Sequence, residues 1–143
     1  NTQVPVEDLL KGMIVQSGND ASVALAEGLL GSQEAFVEQM NATAKKLGMH
    51  NTGYRNPEGL TTEGHTTTAR DMALLSTRLL ADFPQYTGYY AIKSYHYPGT
   101  PETNGNNRNL LLFRDPSVDR LKTGHTAAAG YNLIAPANRP SPA

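Results

Sequence analysis

Apolar side chains recur every three or four positions through much of the first eighty residues, which is the spacing of amphipathic helices. The first stripe follows Pro5, a residue that suits the first turn of a helix, and its members are Val6, Leu9, Leu10, Met13 and Ile14. A polar break follows, and Asn19 or Asp20 can cap a second helix that runs to about Leu30. The pattern therefore predicts two helices joined by a short polar turn.

Two more helices are predicted from their end signals. Ser32 can cap a third helix that ends near Gly48, and its apolar face consists of Phe36, Val37, Met40, Ala44 and Leu47. Residues 49–67 are rich in the Asn, Gly and Pro of turns. Thr68 is followed three residues later by Asp71, an arrangement close to a capping box, which predicts the start of a fourth helix.

The pattern changes in the second half of the chain. Aromatic and β-favouring residues occupy 91–97, and a polar loop rich in Pro, Gly and Asn follows at 98–107. Short strands are predicted at 118–122 and 130–135. A helical block followed by a strand-rich block predicts an α+β fold.

These elements predict one domain, residues 1–135, with a helical cluster at 5–83 and a strand-rich part at 89–135. The last segment, 136–143, holds three prolines in eight residues and is predicted to be a flexible tail. The chain begins with Asn rather than Met and enters patterned sequence at once, so we expect the natural N-terminus to lie upstream.

Composition and charge exclude several classes of function. The chain is 38% hydrophobic and 17% charged, which is typical of a folded protein. Its formal net charge is -1 and its basic residues are scattered, so no nucleic-acid-binding face is predicted. The absence of cysteine excludes disulfides, thiolate nucleophiles and cysteine-ligated zinc. His50, His65 and His96 lack the spacing of metal ligands, and neither a metal nor a cofactor is predicted.

The first candidate for chemistry is the tripeptide Ser17-Gly18-Asn19, at the junction of the first two helices. A hydroxyl and a carboxamide at this spacing can point the same way, pass a proton and hold a carbonyl group. The same residue types are also common in helix caps and turns, so the motif alone leaves both interpretations open.

The second candidate is Lys122-Thr123-Gly124, at the end of the strand predicted at 118–122. A lysine and a hydroxyl at a strand edge can bind a carboxylate, and the glycine lets a ligand approach the backbone. The alternative interpretation is a strand that ends in a glycine turn. K-T-G arises by chance less often than S-x-N, so this motif is the more specific of the two.

Together, S-G-N at a helix junction and K-T-G about a hundred residues later resemble the second and third motifs of the serine penicillin-recognising enzymes. The whole of 5–134 resembles one branch of them, the serine-type D-alanyl-D-alanine carboxypeptidases, which are low-molecular-mass penicillin-binding proteins. The stretches that carry the resemblance are 10–21, 51–52, 59–60, 68–73, 107–111, 119–126 and 129–133. The resemblance implies a transpeptidase-like α+β fold, here truncated.

The resemblance also implies catalytic roles for three residues. Ser17 would relay a proton to the leaving amine, and Asn19 would hold the amide on the acyl side of the substrate. Lys122 would supply positive charge near the nucleophile and the substrate carboxylate.

Substrate binding is implied for the residues that follow Lys122. Thr123, with His125 nearby, would hydrogen-bond the substrate carboxylate. The backbone after Gly124 would lie along the substrate as an edge strand, and one of its amides would help to form an oxyanion hole.

The implied reaction removes the terminal D-alanine from peptidoglycan stem peptides that end in D-alanyl-D-alanine, through an acyl-serine intermediate. β-Lactam antibiotics would acylate the same site because they imitate that end of the peptide. The resemblance further implies a periplasmic or otherwise extracytoplasmic location facing the cell wall, with membrane association of the full-length protein.

The first family motif, S-x-x-K, is absent, because none of the seven serines has a lysine three residues later. We expect that motif upstream of Asn1 and expect the chain to be inactive alone. A non-catalytic truncated fragment is therefore one alternative, and exposed sheet edges would favour its self-association. A class A β-lactamase is the other, and S-G-N in place of S-D-N and the lack of an E-x-x-L-N motif argue against it.

Overall fold

The chain folds as a set of helices followed by a short antiparallel hairpin, which confirms the α+β class. The structure is a computed structural model, and it describes residues 2–118 and 121–137. The α-helices are α1 Val6–Gln16, α2 Asn19–Leu30, α3 Gln33–Lys46, α4 Ala69–Asp82 and the short α5 Leu111–Arg114. Two 3₁₀ helices occupy Pro84–Ala91 and Glu102–Asn104, and the strands are β1 Lys122–Thr126 and β2 Gly130–Ile134.

The first two helices form the centre of the core. Val15 of α1 is 1% exposed and Ala26 of α2 is 0% exposed, with Ile14 and Leu25 also buried. Burying an aliphatic side chain of this kind stabilises the fold by about 1.5–3 kcal/mol. Because the pair is closely packed, the turn between the helices is held in a defined place, and that turn carries Ser17.

Most of the predicted helix ends are confirmed, because their signals are local. Gly31 ends α2 in the left-handed conformation, with φ 82°. The Ser32 hydroxyl accepts a hydrogen bond from Ala35 N at 3.1 Å, and the Thr68 hydroxyl accepts one from Asp71 N at 3.2 Å. The cap predicted for α2 is wrong: Asn19 is its first helical residue, and Gly18 occupies the cap position without a side-chain hydrogen bond.

The first predicted strand is displaced along the sequence. It was expected at 118–122, but β1 begins at Lys122 and runs forward to Thr126. Leu121 has a φ of 78°, which interrupts any extended run from Val118; residues 119–120 lie outside the described part of the chain. β2 is close to its predicted place and pairs antiparallel with β1, with Lys122 opposite Ile134 and His125 opposite Tyr131.

The segment between α4 and β1 contains less strand than its composition predicts. Tyr86, Tyr89 and Tyr90 lie in the 3₁₀ helix Pro84–Ala91. Further on, Ser94 and Asn106 form one isolated antiparallel bridge. Aromatic residues favour strands only when a neighbouring strand is present to pair with, and here the chain packs against α1 instead.

The tail predicted at 136–143 lies mostly outside the described residues. Within the described part of the chain, no helix combines the length and the apolar character needed to cross a membrane.

Candidate active site

The two sequence motifs meet in the structure. Lys122 Nζ donates a hydrogen bond to Ser17 Oγ, although the two residues are 105 positions apart in the chain. Lys122 Nζ also donates to the carbonyl oxygen of Thr123 at 2.9 Å, which fixes the direction of its side chain. Because Ser17 Oγ accepts from the lysine, its own proton is left to donate elsewhere.

Both sides of this contact have unusual backbone geometry. Among the described residues, the non-glycine residues with positive φ are Ser17, at 56°, and Leu121, at 78°. Left-handed conformations of this kind cost about 1–3 kcal/mol each and persist where the surrounding structure enforces them. One of the two carries the hydroxyl and the other directly precedes Lys122, so the backbone strain of the described chain is concentrated at this junction.

Gly18 allows the chain to turn between α1 and α2 beside Ser17. Its N–H donates to the carbonyl oxygen of Gly12 at 3.1 Å, which closes the end of α1. A Cβ atom at position 18 would lie 3.3 Å from that same oxygen and 3.1 Å from Asp20 Oδ1. A side chain here would therefore require these neighbours of Ser17 to shift by a few tenths of an ångström.

The electrostatic environment changes the acidity of Lys122. Burial, and secondarily the nearby guanidinium of Arg108, lowers the pKa of Lys122 from 10.5 to about 8. A buried amine with a neighbouring cation loses its proton more easily because both factors disfavour the charged form. Lys122 can therefore exchange a proton with Ser17 at mildly alkaline pH, while remaining mostly cationic near neutrality.

Arg108 is the residue that sequence reasoning missed. It lies within the stretch 107–111, but its local pattern gave no role, and only the folded chain places its charge near Lys122. A rigid backbone presents it: Asn107 is 5% exposed and Asn109 is 1% exposed. Asn107 Nδ2 donates to Ile92 O at 3.0 Å, and its Oδ1 accepts from Asn109 N at 2.9 Å.

The chain that leads to this segment is fixed to α1, and one of its contacts is next to Ser17. Gln16 Nε2 donates to the carbonyl oxygen of Tyr95 at 3.1 Å, and the Tyr95 hydroxyl donates to Asp8 Oδ1 at 2.8 Å. Burial, followed by the hydrogen bond to Asp8, raises the pKa of Tyr95 to about 12, so the phenol remains protonated. The end of α1 thus positions both Ser17 and the chain that leads to Arg108.

Beyond Lys122, β1 presents an accessible edge. Gly124 and His125 are exposed, while Thr123 is half-buried. Across the hairpin, the His125 and Tyr131 rings lie 4.1 Å apart between centroids with a 30° angle between their planes. The stacked tyrosine restricts the imidazole to one side of the hairpin.

The structure brings together only part of the predicted set. Ser17, Lys122 and Thr123 are connected by hydrogen bonds, and His125 lies on the same strand. Asn19 is exposed at the start of α2, and within the described residues no hydrogen bond links its side chain to the Ser17–Lys122 pair. No group of three or more His, Asp or Glu side chains in the described part of the chain is arranged to hold a metal ion.

Comparisons with known proteins agree on one family. Residues 1–141 match the family model described as D-alanyl-D-alanine carboxypeptidase. The D-alanyl-D-alanine carboxypeptidase DacC of Escherichia coli is 47% identical over 137 residues, which are 96% of this chain and 34% of that protein. The chain therefore spans about a third of the length of this curated relative.

Solved structures show the same similarity. Penicillin-binding protein 5 of Haemophilus influenzae superimposes with a TM-score of 0.91 at 43% identity, over 97% of this chain and 40% of that chain. Penicillin-binding protein D2 of Listeria monocytogenes, solved in its cefotaxime-bound form, superimposes with a TM-score of 0.83 at 32% identity. That match covers 97% of this chain and 56% of the other.

Proposed function

Because this chain belongs to the D-alanyl-D-alanine carboxypeptidase family, we propose that it supplies the second and third motifs of a serine D-alanyl-D-alanine carboxypeptidase. The observation that carries this proposal is the hydrogen bond between Lys122 and Ser17, which joins S-G-N to K-T-G. The substrate is a peptidoglycan stem peptide ending in D-alanyl-D-alanine, and the enzyme acts outside the cytoplasm at the cell wall. The nucleophilic serine belongs to an S-x-x-K segment that is not among these 143 residues.

The reaction begins when that serine attacks the carbonyl carbon between the two D-alanines and gives its proton to the lysine of the same S-x-x-K motif. The tetrahedral intermediate collapses with cleavage of the C–N bond, and the Ser17 hydroxyl passes a proton to the departing amine of D-alanine. Ser17 can relay the proton because its oxygen accepts a hydrogen bond from the Lys122 ammonium, which supplies a replacement proton. Water then hydrolyses the acyl-serine ester and releases the shortened peptide.

The remaining candidates bind the substrate. Lys122 and Arg108 place two cationic groups at one end of β1, which favours the terminal carboxylate there. Thr123, with His125 nearby on the same strand, hydrogen-bonds that carboxylate, and Asn19 holds the amide on the acyl side. The exposed backbone at Gly124 lets the peptide lie along β1, with one of the strand's amides stabilising the oxyanion.

The proposal is tested by penicillin acylation. In the intact protein, meaning a polypeptide that carries this sequence together with the S-x-x-K segment, Lys122→Ala should lower the acylation rate at least about 100-fold, as expected for loss of a preorganised electrostatic group. The measurement is covalent labelling followed by intact mass spectrometry, with release of D-alanine from a peptide as a second readout. Lys45→Ala, which changes an exposed lysine on α3, is the matched control.

The same measurement distinguishes the enzyme from a non-catalytic fragment. The 143-residue chain alone should show no mass increase after incubation with a penicillin, because it has no S-x-x-K serine. A mass increase of one ring-opened penicillin on the chain alone would identify another acceptor, with Ser17 the first to examine. Unchanged labelling of Lys122→Ala in the intact protein would contradict the role of Lys122.

A further inference from the structure

A second contact joins the helical part of the chain to β1, at the opposite end of the strand from Lys122. The Thr61 hydroxyl donates a hydrogen bond to the Thr126 hydroxyl at 3.0 Å, across 65 residues of sequence. Thr126 Oγ1 also accepts from Ala129 N at 3.1 Å within the hairpin turn. The strand is thus held at both ends, by Ser17 at Lys122 and by Thr61 at Thr126.

Thr61 belongs to a well-ordered loop tip. Asn56 Oδ1 accepts from Gly59 N at 2.8 Å and from Leu60 N at 3.1 Å. Asn56 Nδ2 donates to Leu60 O at 2.8 Å and to Thr62 Oγ1 at 3.1 Å. One asparagine side chain therefore organises the whole turn that presents Thr61.

The base of this loop is fixed to two helices. On α3, Asn41 Nδ2 donates to Tyr54 O at 3.0 Å and Asn41 Oδ1 accepts from Tyr54 N at 2.8 Å. On α4, Asp71 Oδ2 accepts from Asn51 N at 2.8 Å and from Thr52 Oγ1 at 2.7 Å. With its base and tip both fixed, the loop can set the position of Thr126 instead of following it.

We propose that the Thr61–Thr126 hydrogen bond holds the far end of β1 in place, so that this end selects the stem-peptide residue that precedes D-alanyl-D-alanine. This inference rests on the proposed function. Since Lys122 and Arg108 place positive charge at the near end of β1, the substrate carboxylate lies there and the rest of the peptide extends toward Thr126. From Lys122 to Thr126 the strand advances about 13 Å, the length of about four extended residues, so the residue before the two D-alanines lies toward Thr126.

The test compares two substrates in the intact protein: N-acetyl-D-alanyl-D-alanine and N,N′-diacetyl-L-lysyl-D-alanyl-D-alanine. Only the longer peptide is long enough to extend to the Thr126 end of β1. Thr61→Ala should lower kcat/KM for the longer peptide by about two- to tenfold, the range expected for one net hydrogen bond. The same variant should leave kcat/KM for the dipeptide unchanged within about twofold.

Two further variants separate positioning from general damage. Thr61→Ser keeps the hydroxyl, so kcat/KM for the longer peptide should return toward the value of the unmodified protein. Thr77→Ala makes the same chemical change on α4, where the hydroxyl donates to Ala73 O of its own helix at 2.9 Å, and should affect neither substrate. An equal loss for both substrates in Thr61→Ala, or no loss for either, would overturn the inference. If the unmodified protein releases D-alanine from neither peptide, the proposed function itself fails.

Discussion

At the scale of single residues, the protonation of Lys122 is the property with the clearest consequence. In the folded chain its pKa is about 8, whereas the ordinary value is 10.5. Between these two values the unfolded chain binds more protons than the folded one, so the free energy of unfolding should rise with pH. At low pH the buried, charged Lys122 destabilises the folded state. This destabilisation disappears as the folded lysine loses its proton.

Replacing Lys122 should therefore change how stability depends on pH. Lys122→Met removes the titrating group, so the part of the rise between pH 8 and 10.5 that belongs to Lys122 should disappear. Arg108→Gln should raise the pKa of Lys122 and shift the start of the rise upward, because a like charge is removed. Urea unfolding at a series of pH values measures both effects. If the free energy of unfolding depends on pH in the same way for the unmodified chain and for Lys122→Met, the pKa assigned to Lys122 is wrong.

At the scale of elements, the 49–67 loop is fixed chiefly through Asp71, which is 4% exposed. The hydrogen bond from Thr52, outweighing the effect of burial, lowers the pKa of Asp71 below 3.8, with the Asn51 N–H and other partners adding to the shift. A carboxyl whose pKa is lowered in the folded state stabilises the fold above its unfolded pKa, and this stabilisation is lost as pH falls.

Asp71→Asn should accordingly reduce the melting temperature at pH 7 and narrow its difference from the unmodified chain as the pH falls below 3.8. Thermal unfolding between pH 7 and pH 3 measures this convergence. Asp82→Asn is the control, because its ion pair with Arg78, at 2.8 Å, joins side chains that are 36% and 52% exposed. Exposed pairs of this kind contribute little. If the difference in melting temperature between Asp71→Asn and the unmodified chain is the same at all pH values, the ionised carboxylate of Asp71 is not the source of this stabilisation.

How far the sequence predicts each element depends on the range of its determining contacts. The helices α1 to α4 follow from local periodicity and from caps such as Ser32 and Thr68, and they are found close to their predicted places. The start of β1 was misplaced because the left-handed turn at Leu121 leaves no local sequence signal. Arg108 was missed for a related reason: its effect on Lys122 exists only after distant segments have packed together.

At the scale of the whole molecule, the outer part of the hairpin is incompletely covered. Within the described residues the sheet has two strands, so one edge of β2 has no neighbouring strand. Tyr131 is 90% exposed and Leu133 is 47% exposed, and residues two apart on a strand share a face. An open edge next to exposed apolar side chains favours pairing with another chain.

The chain produced alone should therefore self-associate through β2. Sedimentation velocity over a range of concentrations should show a shift toward dimers, and the double substitution Tyr131→Lys with Leu133→Lys should reduce it, since charges oppose edge pairing. Leu29→Lys is the control, because Leu29 is 64% exposed but lies on α2. A single monomeric species at every concentration would rule out this association.

The 105-residue separation between Ser17 and Lys122 also determines when the site can exist. A ribosome delivers α1 and α2 before β1, and these helices can pack through local contacts while the strand that completes the site is still untranslated. The entropy lost on closing a loop grows only slowly with the length of the loop. The late formation of the Ser17–Lys122 contact is therefore set mainly by the order of synthesis. Until the residues between them have been synthesised, the nascent chain thus carries the Ser17 hydroxyl without the lysine that gives it a chemical role.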